Sequence, residues 1–193
     1  GTVGNCDEGL FHDGPSGSEG YAISNPTIGN DTLDVMAVDS DYIYTAGSDK
    51  SSGYPWRVEK RNRITGALVP AFGGGSGFVY YNPGTWPDEV YDMEVDSDYI
   101  YIGGSGYTQG KWQWHVIKMN KVTGNLCDNF TNCAAGEFGN GGVVNELLYK
   151  EDSVVFSLAV DSSYIYIGGT TQSNGARLEK RNKNTGILVS GFG

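Results

Sequence analysis

The sequence predicts an all-β fold, a β-propeller-type repeat of four-stranded antiparallel blades with three repeat units in the chain. Three observations carry that expectation. The stretch Val38-Asp39-Ser40-Asp41-Tyr42-Ile43-Tyr44 returns unchanged from Val95 to Tyr101, and again from Val160 to Tyr166 with Ser163 for the second Asp. Around each copy runs one longer order: an apolar run, the Asp-Ser turn, Tyr-Ile-Tyr, a Gly pair or near-pair, a basic run ending in Thr-Gly, then Phe-Gly. The 193 residues include 30 Gly and 13 Tyr, which favours short strands and tight turns over helices.

In chain order, residues 33–38 alternate apolar with small or acidic side chains, as a half-buried strand does. Asp39-Ser40-Asp41 has the chemistry to reverse the chain, and residues 42–46 make the return strand, a β-hairpin. After a polar loop at 47–54, residues 56–62 alternate again, and Ile64-Thr65-Gly66 turns into a fourth strand expected at 67–72. The second unit repeats the plan at 90–95, 99–103 and 114–120, with Thr123-Gly124 and Phe138-Gly139. The third repeats it at 154–160, 164–168 and 176–182, with Thr185-Gly186 and Phe192-Gly193. The spacing from second to third unit is the longer one, mainly through the Cys127 to Cys133 loop. Residues 1–193 read as a single repeat domain: 1–33 the tail of a partial repeat, 34–89 unit one, 90–153 unit two, and 154–193 unit three lacking its tail. Antiparallel units of this length, each needing a neighbour to cover its faces, are the material of β-propellers.

Charge narrows the function. A formal net charge of −10, from 13 basic against 23 acidic residues, argues against nucleic acid, whose phosphates require clustered Lys and Arg. The longest apolar runs, such as residues 154–160, have strand length and are too short to span a bilayer. The chain starts at Gly1 without Met, so upstream sequence such as a signal peptide is expected to have been removed or not included. Cys127 and Cys133 bracket five residues with no His at zinc-finger spacing, which reads as a local disulfide rather than a metal site. That pairing, with sequons at Asn30 and Asn129 as glycosylation candidates, points to an extracellular or cell-surface setting.

Val95-Asp96-Ser97-Asp98-Tyr99-Ile100-Tyr101-Ile102-Gly103-Gly104, followed by Val116-Ile117-Lys118-Met119-Asn120, Thr123-Gly124 and residues 137–144, resembles the delta-60 type repeat of bacterial surface and secreted proteins. More loosely the order is similar to the blades of quinoprotein-like propellers. The resemblance covers most of the chain and implies an exported propeller. It implies no cofactor here, because the vicinal disulfide and metal ligands of quinoproteins have no counterpart.

Cys6 precedes Phe11 as Cys133 precedes Phe138, so residues 1–33 look like the end of a disulfide-bearing unit. On that alignment the partner of Cys6 would lie just before Gly1; either the chain is cut from something longer, or Cys6 stays free or pairs with another molecule. Three blades are too few to close a ring, since propellers hold four to eight. Closure is therefore expected from outside: two chains in one ring, further blades of a longer parent, or head-to-tail stacking into a filament.

Among candidate sites, Asp39, Asp41, Asp96 and Asp98 are weak calcium ligands and better turn residues. His115, in an alternating strand between Trp114 and Val116, reads as structural, and no catalytic residue is assigned; His12 is the only other histidine. Paired carboxylates for glycosidase chemistry could be drawn from Asp88, Glu89, Asp92 and Glu94, whose setting reads as solvated. Trp56, Trp86, Trp112 and Tyr107 sit near Asn, Gln and Asp in units one and two, a composition suited to stacking on sugars or to a protein interface. The expectation is a non-enzymatic extracellular propeller module with a structural or adhesive role, assembling head to tail into a ring or surface filament. Its partners would be copies of itself or further blades of a longer chain. A carbohydrate-binding propeller is the first alternative, and a quinoprotein-like or hydrolytic enzyme the second.

Overall fold

The structure, a computed structural model, describes residues 21–24, 31–49, 54–85, 88–128, 133, 137–145, 152–171 and 175–193. Cys6, His12, Asn30, Trp86 and Asn129 lie outside the described residues. The strands form three antiparallel sheets, each a meander in which chain neighbours pair. Sheet one comprises β1 (Val35–Val38), β2 (Tyr42–Ser48), β3 (Trp56–Asn62) and β4 (Phe78–Tyr81). Sheet two comprises β5 (Glu89–Val95), β6 (Tyr99–Thr108), β7 (Lys111–Asn120) and β8 (Val143–Asn145). Sheet three has three strands, β9 (Ser153–Val160), β10 (Tyr164–Thr171) and β11 (Gly175–Asn182). The all-β class and the three units stand, and the sheets do not close into a ring or barrel among the described residues. No helix there is long and apolar enough to cross a membrane.

The repeated motif is explained by one carboxylate per unit. Asp39 Oδ1 accepts the N–H groups of Asp41 and Tyr42 at 2.9 and 2.8 Å, which closes the β1–β2 turn. Asp96 does the same for Asp98 and Tyr99, and Asp161 for Ser163 and Tyr164. The turn itself uses only the backbone N–H of that second residue, so Ser163 closes it as Asp41 and Asp98 do, without the carboxylate that accepts the Ser40 or Ser97 hydroxyl. The Thr-Gly signature has a similar cause. Asn62 Oδ1 accepts N–H from Ile64 and Thr65, and the chain leaves through Gly66 at φ 71°, a left-handed conformation that other residues adopt only under strain. Asn120 with Gly124 and Asn182 with Gly186 repeat this turn.

The fourth strand is not where the sequence placed it. Residues 67–72 make only a single bridge, Leu68 to Arg61, before a glycine turn at Phe72–Gly75, and β4 follows at Phe78–Tyr81. Pro70 has no N–H to extend a ladder, whereas Phe-Val-Tyr-Tyr is strongly strand-forming. β8 lies likewise beyond Phe138-Gly139.

Each sheet buries one face on the next. β1 and β2 pack on β5, and β5, β6 and β7 pack on β9. Tyr44, Trp56, Val58 and Phe72 of sheet one meet Met93, Ile100, Ile117 and Met119 of sheet two. Tyr101, Trp114, Val116 and Phe138 of sheet two meet Val155, Leu158, Ile165 and Ile167 of sheet three. The Cys127–Cys133 disulfide, Cα–Cα 5.3 Å, is buried in this second core. Closing so short a loop should contribute about 2 kcal/mol. Reduction, or the double Cys→Ser variant, is therefore expected to lower the urea-unfolding free energy by at least that amount.

Candidate assembly interface

The two sheet-to-sheet contacts are copies of each other, and a polar seam runs along both. Asp39 Oδ2 accepts the Tyr44 hydroxyl at 3.1 Å and pairs with Lys121 Nζ of sheet two at 2.6 Å. Asp96 Oδ2 accepts the Tyr101 hydroxyl at 3.0 Å and pairs with Lys183 Nζ of sheet three at 3.0 Å. A second lysine crosses each contact in the opposite direction. Lys60 Nζ donates to the Lys121 carbonyl at 2.8 Å, and Lys118 Nζ to the Lys183 carbonyl at 3.1 Å. Both ammonium groups lie over tyrosine rings, Lys60 over Tyr42 and Lys118 over Tyr99, each 3.9 Å from the centroid.

These placements move the titrations. Burial raises the Asp39 carboxyl, but Lys121, the Asp41 and Tyr42 amides and the Tyr44 hydroxyl outweigh it and hold the group at about 2. Asp96 is lowered against the same opposing burial by the Asp98 amide, Lys183, the Tyr99 amide and Tyr101. Burial brings Lys118 down to about 8, with nearby Asp96 resisting the shift.

Among the described residues, sheets one and three each have a face with no neighbouring sheet on it, and on each of these faces side chains are exposed at positions that are buried elsewhere. Leu33 and Met36 are 56% and 64% exposed, while their counterparts Val90 and Met93, and Val155 and Leu158, are at most 4% exposed. On sheet three, Leu178 and Phe192 are 63% and 42% exposed, while Val58, Phe72, Val116 and Phe138 are fully buried. The seam is open at the same two places. Asp161 Oδ2 accepts the Tyr166 hydroxyl at 3.0 Å, but among the described residues no cation is paired with it. Lys180 lies over Tyr164 at 3.9 Å; among the described residues it has no carbonyl acceptor, and Arg63, the counterpart of Lys121 and Lys183, meets no carboxylate. Sheet one also carries Glu59 between Arg57 and Arg61, as sheet three carries Glu179 between Arg177 and Arg181. Sheet three packs on sheet two with that Glu-Arg set included, Arg177 lying 5.5 Å from the Trp114 ring.

The residues proposed for sugar stacking separate. Trp56 is fully buried between sheets one and two, tilted on Tyr81 at 5.5 Å, with its ring where a Cβ on Gly104 would stand; no sugar reaches it. Trp114 holds the same place against Gly169. Tyr107 and Trp112 form an edge-to-face pair, 5.6 Å apart and half-buried, at the β6–β7 hairpin end. Of the weak calcium candidates, Asp39 and Asp96 have their oxygens filled by amides, a tyrosine hydroxyl and a lysine. Asp41 and Asp98 are exposed and accept only Ser40 and Ser97 hydroxyls among the side chains described. The lysines of the seam were missed. Their signal was present: Lys60, Lys118 and Lys180 hold one place in all three units while their neighbours change between Glu-Arg and Ile-Met.

Two buried groups set an opposing pH dependence. Burial raises Asp88 to about 6, against the amides of Tyr107 and Gly84, and lowers His115 to about 4. His115 bonds Tyr81 through Nδ1 at 3.1 Å. The folded state binds more protons at Asp88 and fewer at His115, so on acidification from pH 6.5 to 4 the first adds stability and the second removes it. Their effects offset. Asp88→Asn should expose the His115 slope, with stability falling by about 3 kcal/mol over that window in urea titrations at stepped pH.

No protein-family model, no curated protein and no solved structure matches this chain.

Proposed function

We propose that the chain is a non-enzymatic module of a β-propeller-type assembly, exported, whose role is structural or adhesive and is exercised by joining further sheets of its own kind. The single observation that supports this most is the open pair of faces: each repeats the residues of a contact already formed inside the chain, with no partner sheet on it among the described residues. Sheets packed in succession through inner strands, each a meander, fit blades better than rungs or the halves of a sandwich. The disulfide fits an oxidising compartment outside the cell. Light scattering coupled to size exclusion tests the reading: species larger than one chain are expected, and a single monomeric species at all concentrations would remove it.

Among the described residues, a carbohydrate-binding role retains support at Tyr107 and Trp112, half-buried at one hairpin end. A glycan array with Trp112→Ala as control measures it. An enzymatic role has less: the His115 ring is buried and its Nδ1 is engaged by Tyr81.

A further inference from the structure

We infer that the occupant of both open faces is a second copy of this chain, docked so that sheet three of one copy packs on sheet one of the next, and that Tyr21–Ser24 of the second copy supplies the strand sheet three lacks. The inference rests on the assembly reading above and adds the register and the ion pair.

Three observations converge on it. First, β3 and β7 each pair with a fourth strand, Val58 opposite Val79 and Val116 opposite Val144, while the corresponding edge of β11 has none among the described residues. Second, Gly20-Tyr21-Ala22-Ile23-Ser24 aligns with Gly77-Phe78-Val79-Tyr80-Tyr81 and with Gly142-Val143-Val144-Asn145. Tyr21–Ser24 already lies where a preceding sheet would hold its fourth strand. The Ser24 hydroxyl donates to Glu59, and the segment lines a groove of about 500 Å³ with Leu33, Met36 and Ile43 on the open face of sheet one. β4 stands in the same relation to sheet two, Tyr81 contacting His115 beside Ile117. Ile23 is exposed, as Tyr80 is on β4.

Third, the charges match. Lys121 reaches back to Asp39, and Lys183 to Asp96. The next pair in that series is Arg63 of one copy with Asp161 of the other, and Lys180 then finds the Arg63 carbonyl as Lys60 finds that of Lys121. Apolar side chains complete the contact: Leu178 and Phe192 on one side, Leu33, Met36 and Val38 on the other, all exposed in the single chain. The Glu59-Arg61 set is no obstacle, since the matching set of sheet three includes a buried Glu179 and an Arg177 that lies 5.5 Å from the Trp114 ring of sheet two. Each copy keeps one face open after docking, so the contact propagates until it closes or makes a filament.

Sedimentation velocity from low micromolar to near-millimolar chain, on the wild type and charge-reversed variants, tests the docking. Arg63→Asp and Asp161→Arg should each weaken self-association by about thirty-fold, and the double variant should recover most of it. In a Cys6→Ser background, an Ala22→Cys chain mixed with a Leu178→Cys chain should form a mixed disulfide dimer, because the aligned register sets these positions opposite each other. A wild type that associates while both reversals and the cysteine pair have no effect would overturn this interface and leave the assembly reading standing. A wild type that stays monomeric throughout, or a crosslink that forms only within one chain carrying both cysteines, would overturn the second copy as the occupant. Monomer throughout would remove the assembly reading as well.

Discussion

Trp56→Ala is expected to destabilise the chain by about 4 kcal/mol, the largest effect of any single truncation here. The ring is fully buried, lies on Tyr81 and fills the space above Gly104, so its removal empties the centre of the contact between sheets one and two. The reciprocal change tests the same fit from the other side. A Cβ on Gly104 would stand 2.6 Å from the Trp56 ring and 2.1 Å from the Glu89 carbonyl oxygen, and the backbone atom cannot yield as a flexible side chain could. Gly104→Ala should therefore cost about 3 kcal/mol through overpacking. Trp112→Ala, at a half-buried hairpin end, should cost less than about 1 kcal/mol. Urea unfolding of the three variants ranks them directly. If Trp56→Ala folds as stably as the wild type, the indole is not the wedge between the sheets.

The second large effect belongs to Asp96. Its carboxylate closes a turn, holds the Tyr101 hydroxyl and receives Lys183. Asp96→Ala should cost about 3 kcal/mol, because it leaves two turn amides, a buried hydroxyl and a half-sequestered ammonium without their acceptor. Asp96→Asn keeps Oδ1 as the turn acceptor but puts an NH2 donor in place of Oδ2, so the Lys183 pair is lost and the Tyr101 hydroxyl must accept instead of donate; about 2 kcal/mol is expected. The difference between the two variants separates turn from seam. It also has a pH signature: the Asp96 carboxyl is lowered in the folded chain, so its contribution is present above the ordinary carboxylate value of 3.8 and is lost as pH falls below it. The Asp96→Ala deficit should accordingly shrink in strong acid. Equal costs for the two substitutions would mean that the turn amides gain nothing from the side chain, and a costless Asp96→Asn would mean that Lys183 contributes nothing.

Much of this chain could be read without coordinates because its signals are local. A turn that needs a carboxylate to collect two amides announces itself as Asp-Ser-Asp or Asp-Ser-Ser before Tyr, and a turn that needs a left-handed residue announces itself as Asn-x-x-Thr-Gly. β3, at Trp56–Asn62, lies where its alternation placed it. What alternation does not carry is which face meets a neighbour and which meets water. Trp56 therefore looked available to a ligand, and is instead closed between sheets. The fourth strand was misplaced for a related reason: the run after Thr-Gly is apolar, but only pairing distinguishes the bridge at Leu68 from the strand at Phe78–Tyr81. The seam needed comparison among the units rather than inspection of one. A lysine on a strand reads as a solvated side chain until its recurrence beside Asn62, Asn120 and Asn182 is set against the changes around it.

The unsaturated outer sheets are tested most directly by hydrogen exchange of the amides in β11, Gly175–Asn182, followed as chain concentration rises. If sheet three is completed by a neighbour, the outward amides of β11 gain protection with concentration, and peptides spanning Tyr21–Ser24 gain it in parallel. Exchange at β11 that is fast and unchanged from dilute to concentrated solution, with the rest of the three sheets protected, would contradict the claim that this edge is built to be covered.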